Sequence, residues 1–177
     1  MKTRRLPATL TALLALFLVQ SPLPAADKPA AISGKDAFDK MKSLAGEWRG
    51  TFEQPGIGPE ALVIYKVTSA GSVVQETLFP GTPNEMVTMY YLDGDRLVLT
   101  HYCAAGNQPS MALTKKSTTA QLDFDFTGAT NMKSRREMHM HSARLRFESD
   151  GSISAEWDSY ENRKKTDTKK FFMRRKN

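Results

Sequence analysis

The sequence holds one cysteine, Cys103, three histidines and two tryptophans in 177 residues. A single cysteine excludes an intramolecular disulfide, so stability must come from a buried apolar core. No apolar run reaches the roughly 18 residues that mark a membrane-spanning helix. The HExxH of zinc proteases, the GxSxG nucleophile elbow, the CxxC pair and the phosphate-binding glycine loop are all missing. Cys103 and His101 share a parity, but no orienting partner or oxyanion donor accompanies them, which argues against a thiol nucleophile.

What is present begins with a targeting pattern. Lys2, Arg4 and Arg5 precede an apolar run from Leu10 to Val19, followed by small residues and prolines through Ala26. This reads as a cleavable signal peptide over residues 1–26, so the mature chain is expected to be exported, periplasmic or extracellular, with no membrane span. No cysteine follows the run, which argues against a lipid anchor. Loss of Lys2, Arg4 and Arg5 lowers the net charge from +6 to +3. The remaining cations cluster late, at Arg163–Lys165, Lys169–Lys170 and Arg174–Lys176. Aromatic residues do not interleave with them as a stacking platform would, so no nucleic-acid partner is expected.

Residues 27–34 read as a linker and 35–177 as one domain. Ser33 is a candidate N-cap for a short helix over Lys35–Leu44, with Asp36 three residues on, an apolar face of Phe38, Met41 and Leu44, and Gly46 beyond. Everything after it alternates with period two. Strands are expected near Gly46–Phe52, Ala61–Thr68, Ser72–Phe79, Glu85–Leu92, Arg96–Cys103, Ser110–Ser117, Gln121–Phe126, Met138–Phe147, Ile153–Tyr160 and Thr168–Arg174. Turn residues punctuate them, including Gly56–Pro59, Ala70-Gly71, Asp93-Gly94 and Asp150-Gly151. The predicted fold is all-β: an antiparallel meander of about ten strands closed into a calycin- or lipocalin-like barrel, with the helix over one end.

Parity assigns the faces. Leu97, Leu99, His101 and Cys103 fall on one side of their strand, and Leu122, Phe124 and Phe126 on one side of theirs. Ile153, Ala155 and Trp157 likewise share a face. Extending the parity of Ala143, Leu145 and Phe147 backwards places His141 and His139 inside as well. His139 and His141 would then lie about 6.5–7 Å apart on one strand face. With His101 they form a candidate three-histidine site for Zn²⁺, and Glu76, on the parity of Val74 and Leu78, could orient a ligand or act as general base. An imidazole can also serve as a haem ligand, although no CxxCH is present. In the remaining reading the histidines are polar groups lining a cavity. The cavity candidates are Trp48, Glu76, Tyr90, His101, Cys103, Asn107, Gln108, His139, His141 and Trp157. The 128–137 segment is a candidate portal or a plain solvated loop.

Gly46-Glu47-Trp48-Arg49-Gly50 resembles the G-x-W-x-G opening of lipocalin-like barrels. The run from Glu76 to Tyr90, with Asp93-Gly94 and Thr100-His101-Tyr102-Cys103-Ala104-Ala105-Gly106-Asn107-Gln108-Pro109, resembles a family of secreted bacterial lipocalin-like domains. That resemblance implies a β-barrel with a cavity and carries over no catalytic residue. A looser similarity is to nitrobindin-type haem barrels, which have ten strands and begin G-x-W-x-G-x-G. Here Phe52 replaces the last glycine, and the two final strands lack the histidine that the resemblance would require.

Three functions from different classes remain open at this point. The first is an exported, non-catalytic barrel that binds a small, partly apolar molecule. The second is a Zn-dependent hydrolase or lyase using His101, His139 and His141, with haem binding as a further alternative. The third is an envelope interaction module without a ligand. The sequence fixes neither the ligand nor the oligomeric state.

Overall fold

The computed structural model describes residues 30–53 and 60–176. The signal-peptide reading, the start of the linker and the Gly56–Pro59 turn lie outside the described residues. No described helix is long and apolar enough to cross a membrane.

Ten antiparallel strands follow one helix, α1 (Gly34–Lys42). They are β1 (Gly46–Glu53), β2 (Glu60–Thr68), β3 (Val73–Leu78), β4 (Met86–Asp93), β5 (Arg96–Tyr102), β6 (Gln108–Leu113), β7 (Gln121–Thr130), β8 (His139–Phe147), β9 (Ile153–Glu161) and β10 (Lys164–Arg175). Each strand pairs with its sequence neighbours, and β1 pairs with β10 to close the barrel. The predicted meander is therefore the observed one. Closure removes both sheet edges, and the period-two alternation supplies an apolar inner wall.

Boundaries moved where turns, not hydrophobicity, decide them. The β4–β5 loop is Gly94-Asp95, one residue later than the Asp93-Gly94 expected, because Asp93 pairs with Arg96. Gly94 takes the first loop position with φ 63°, a conformation that tight two-residue hairpins require there. β6 begins at Gln108 and ends at Leu113, and β10 starts four residues before the expected Thr168.

The helix closes one end of the barrel. Ser33 Oγ accepts from the Asp36 amide at 3.1 Å and donates to the Asp36 carboxylate at 2.7 Å, which fixes the first turn. Gly34 sits so close to the Asp95 carbonyl at the β4–β5 turn that no Cβ fits there. Ahead of it, part of the expected linker is ordered against the β6–β7 connection, through an Ala31–Thr118 bridge and the Ile32 amide bonded to the Ser117 carbonyl. At the helix C-terminus, Arg175 donates to the carbonyls of Ser43 and Ala45, where a cation suits the exposed carbonyl ends. Ala37, Phe38, Met41 and Leu44 point into the barrel and join one continuous core with Leu97, Leu99, Met111, Leu122 and Met173. Burying each large apolar side chain contributes about 1.5–3 kcal/mol. Among the described residues the barrel is consequently filled at its helical end and centre, and space remains toward the opposite end, the mouth.

Two register irregularities shape that mouth. In β8 a bulge lies between Met140 and Ser142, leaving His141 unpaired with β9. In β6–β7 the register shifts between Ser110 and Met111. Pairing of β7 with β8 stops at Asp125–Ser142, so the two strands part toward the mouth.

Candidate functional site

Cross-strand pairing brings four polar residues into one row on the inner wall. Tyr65 pairs with Glu76, Glu76 with Thr88, and Thr88 with His101. All four side chains are buried. Tyr65 and Tyr90 donate their hydroxyls to the Glu76 carboxylate at 2.7 and 3.1 Å. Burial raises the Glu76 pKa, and hydrogen bonds from Tyr65, Thr88 and Tyr90 pull it back toward the charged form. The same burial, with the carboxylate close by, raises both tyrosine pKa values well above normal, so the phenols stay protonated as donors.

Thr88 Oγ1 lies 2.9 Å from His101 Nδ1. Glu76 also takes a side-chain hydrogen bond from Thr88; with that hydroxyl donated to Glu76, Thr88 accepts from His101 Nδ1–H, and the lone pair of His101 stays on Nε2. That nitrogen is buried and has no hydrogen-bond partner within the protein. Burial alone lowers the His101 pKa from 6.5 to about 4, so the ring is neutral at physiological pH.

His101 is one wall of a cavity of about 50 Å³ in the mouth. Its other walls are Phe52, Leu78, Phe79, Met86, Met140, Trp157 and Phe171, with Lys169 beside them. The Trp157 ring packs 4.9 Å from the imidazole, centroid to centroid. Phe52, Phe79 and Phe171 form a ring cluster, with Phe52 4.9 Å from Phe79 and 4.5 Å from Phe171. Phe79 leaves β3 at φ 53°, an unusual conformation for a bulky residue. Lys169, paired with Trp157 and ion-paired to Asp167, is the cation of this inner rim.

The three histidines do not meet. His139 pairs with Tyr160, on the outward parity of β9, whereas Met140 pairs with the buried Ser159 and faces in. The bulge at His141 adds one residue and inverts the parity read back from Ala143 and Leu145. The expectation that His139 and His141 face the lumen is thereby corrected: both lie on the outer side, packed with Phe126 and Tyr160. Phe126 keeps the parity of Leu122 and Phe124 and pairs with the buried Met111, and its ring meets His141 in the gap where β7 and β8 part. Among the described residues no three His, Cys, Asp or Glu side chains converge. The residues present therefore do not fit a three-histidine Zn²⁺ centre. Nor does the mouth fit haem: His101 Nε2 is a suitable axial nitrogen, but Trp157 covers the ring and about 50 Å³ leaves no slot for a macrocycle.

The other expected cavity residues separate by role. Trp48 sits at the helical end, donating from Nε1 to the Leu44 carbonyl at 2.7 Å under the Arg175 guanidinium. Cys103 is half-buried just past β5, its amide bonded to the Asn107 carbonyl and its thiol pKa raised by burial. Asn107 donates to the Met138 carbonyl at 2.7 Å, and Gln108 bonds Gly106 and Thr130. These two polar side chains tie loops together at the mouth. Glu76, Tyr90, His101 and Trp157 remain at the site. Tyr65, Thr88, Met140 and Lys169 join them; the parity of Met140 was hidden by the bulge, and the heights of all four depend on registers that loops set. A larger outer groove of about 540 Å³ is lined by Arg49, Thr51 and Glu60 among others, and its charged residues are exposed.

Comparison of the chain with protein-family models and with curated proteins returned no match.

Proposed function

We propose that this is an exported, non-catalytic barrel that binds a small, partly apolar molecule at its mouth. The observation that carries the reading is the partnerless His101 Nε2, a buried acceptor at the end of a hydrogen-bonded row and surrounded by apolar walls. Leaving such a group unpaired costs about 1–3 kcal/mol, which a bound N–H or O–H donor would recover. Mostly apolar lining with one or two convergent polar atoms is the usual character of a ligand pocket.

A ligand of this kind places a donor on His101 Nε2 and its apolar body against Trp157, Phe52, Phe79 and Phe171. The cavity takes only a few heavy atoms, so a longer ligand must extend past Lys169. The row behind His101 sets the tautomer: Glu76 holds the Thr88 hydroxyl, and Thr88 holds Nδ1–H. Among the described lining residues His101 is the acceptor and Lys169 the cation, an arrangement suited to binding and orienting a polar end.

The test uses Trp157 as reporter. In Trp48→Phe protein the emission comes from Trp157 alone, since the chain has two tryptophans. n-Butanol, a donor on a short apolar chain, is expected to change that emission saturably. The response should vanish when His101→Leu is added. A response that persists in the double variant, or none to n-butanol, phenol or acetamide, overturns the reading.

A further inference from the structure

A second pocket opens on the outside of the barrel, where β7 and β8 part. Its volume is about 280 Å³ and its lining is Phe126, Arg135, His139, His141, Tyr160 and Arg163. It shares no residue with the mouth cavity. Its floor is a stack of rings: His141 lies 4.0 Å from Tyr160 and 5.1 Å from Phe126, centroid to centroid.

His139 braces the floor from beneath, buried to 2 % exposure. Its Nδ1 is 2.8 Å from the Glu137 carbonyl, and its Nε2 is 3.0 Å from His141 Nδ1. A carbonyl only accepts, so His139 donates from Nδ1, and with His141 donating to it from Nδ1 it accepts at Nε2. His141 then donates from Nδ1 and presents a bare Nε2, 3.8 Å from Asp125 Oδ1. The two imidazoles use their facing nitrogens on each other, so the pair is fixed in place.

The rim is cationic. The Arg135 guanidinium lies 5.3 Å from the Phe126 ring centroid, and Arg163 stands at the β9–β10 hairpin at φ 64°. Among the described residues neither arginine forms an ion pair. The two rim segments are joined by the Asn162 amide bonded to the Arg136 carbonyl at 2.8 Å. Nearby carboxylates are mostly engaged: Asp158 holds Lys165, Thr168 and Ser142, and Glu137 accepts from the amides of Lys133 and Ser134. Asp125 accepts from the Phe126 amide at 2.9 Å and is largely exposed, as is Glu161 at the start of the β9–β10 hairpin.

We propose that this pocket is a second ligand site, for a small oxyanion held between Arg135 and Arg163 against the His141–Tyr160 face. Guanidinium forks match carboxylate, sulfate and phosphate geometry. Among the described residues the pocket lining holds two arginines and no carboxylate, which makes it hostile to a bare cation. The concave shape and volume suit a small molecule more than an extended surface.

The test is a titration of the intact protein with sulfate, and separately with benzoate, at fixed ionic strength and followed by NMR. Saturable shifts are expected at His141 and Tyr160, with no change at the Trp157 indole. An Arg135→Gln/Arg163→Gln variant is expected to keep the wild-type melting temperature, because both side chains are exposed, and to bind at least about tenfold more weakly. Absent shifts, or shifts equal in the variant, overturn the proposal. A response to Ni²⁺ with none to either anion would make the histidine pair a cation site. Binding to phosphatidylglycerol vesicles with none to sulfate or benzoate would make the rim a membrane-facing surface. Either result overturns the small-oxyanion site.

Discussion

Thr88 and His101 face each other across β4 and β5, with Oγ1 2.9 Å from Nδ1. Through that contact the hydrogen bond from Thr88 to Glu76 sets which nitrogen of His101 carries the hydrogen. A side chain on β3 thereby determines the chemistry offered by one on β5.

The first prediction concerns stability against pH. The folded pKa of His101 is depressed from 6.5 to about 4. Above the upper value the ring is neutral whether folded or unfolded. Between the two values only the unfolded chain takes up the proton, so stability falls as pH drops through this window, by roughly 3 kcal/mol in all. Glu76 has the opposite sign, since its raised folded pKa favours the protonated form and destabilises as pH rises above the carboxylate range. Urea denaturation of wild type and His101→Gln from pH 7 to pH 4 is expected to show the acid slope in wild type and a flatter curve in the variant. Parallel curves would contradict the account.

A second prediction follows from the β8 bulge. His101 and His139 are almost fully buried, whereas the His141 side chain is 30 % exposed. Its pKa is lowered by burial first and by His139 next, so the ring is neutral and open to acylation at neutral pH. Diethyl pyrocarbonate is expected to modify His141 rapidly and the other two slowly. Plain alternation along β8 would have protected all three.

The bulge marks where sequence reasoning stops. The ten strands and the helix were legible because period-two runs and turn residues report directly on burial and chain reversal. The Thr88–His101 pairing follows from the tight turn after Asp93 once the loop is placed on Gly94-Asp95. The Glu76–Thr88 register does not, because the connection over residues 79–85 permits several alignments. A bulge has no composition of its own: His139, His141, Ala143 and Leu145 alternate as evenly as an unbroken strand. The aromatic mouth was equally hidden, since Phe52, Phe79 and Phe171 come from separate parts of the chain.

The third prediction is for Cys103. Its thiol pKa is raised by burial, only partly offset by a backbone hydrogen bond involving Ala105. Reaction with a disulfide reagent at pH 7.5 is expected to run several-fold slower than that of a free thiol, and to reach the free rate in denaturant. Fast reaction in the native state would contradict this.

The fourth concerns the barrel seam. A Cβ at Gly50 would lie 1.7 Å from the Phe172 carbonyl oxygen on β10, far inside van der Waals contact. Gly50→Ala must push β1 from β10 and is expected to cost roughly 2–4 kcal/mol. Thermal melting reads it directly, and an unchanged midpoint would mean that the seam is looser than described.

The central claim is that His101 offers a bare Nε2 to a ligand in the mouth. Histidine side-chain ¹⁵N–¹H correlation spectra at pH 7 test it most directly. The account predicts a neutral His101 with hydrogen on Nδ1 and an unprotonated Nε2, whose resonance alone among its ring nitrogens moves strongly when n-butanol binds. A hydrogen on Nε2, or an Nε2 resonance indifferent to every donor probe, would contradict it.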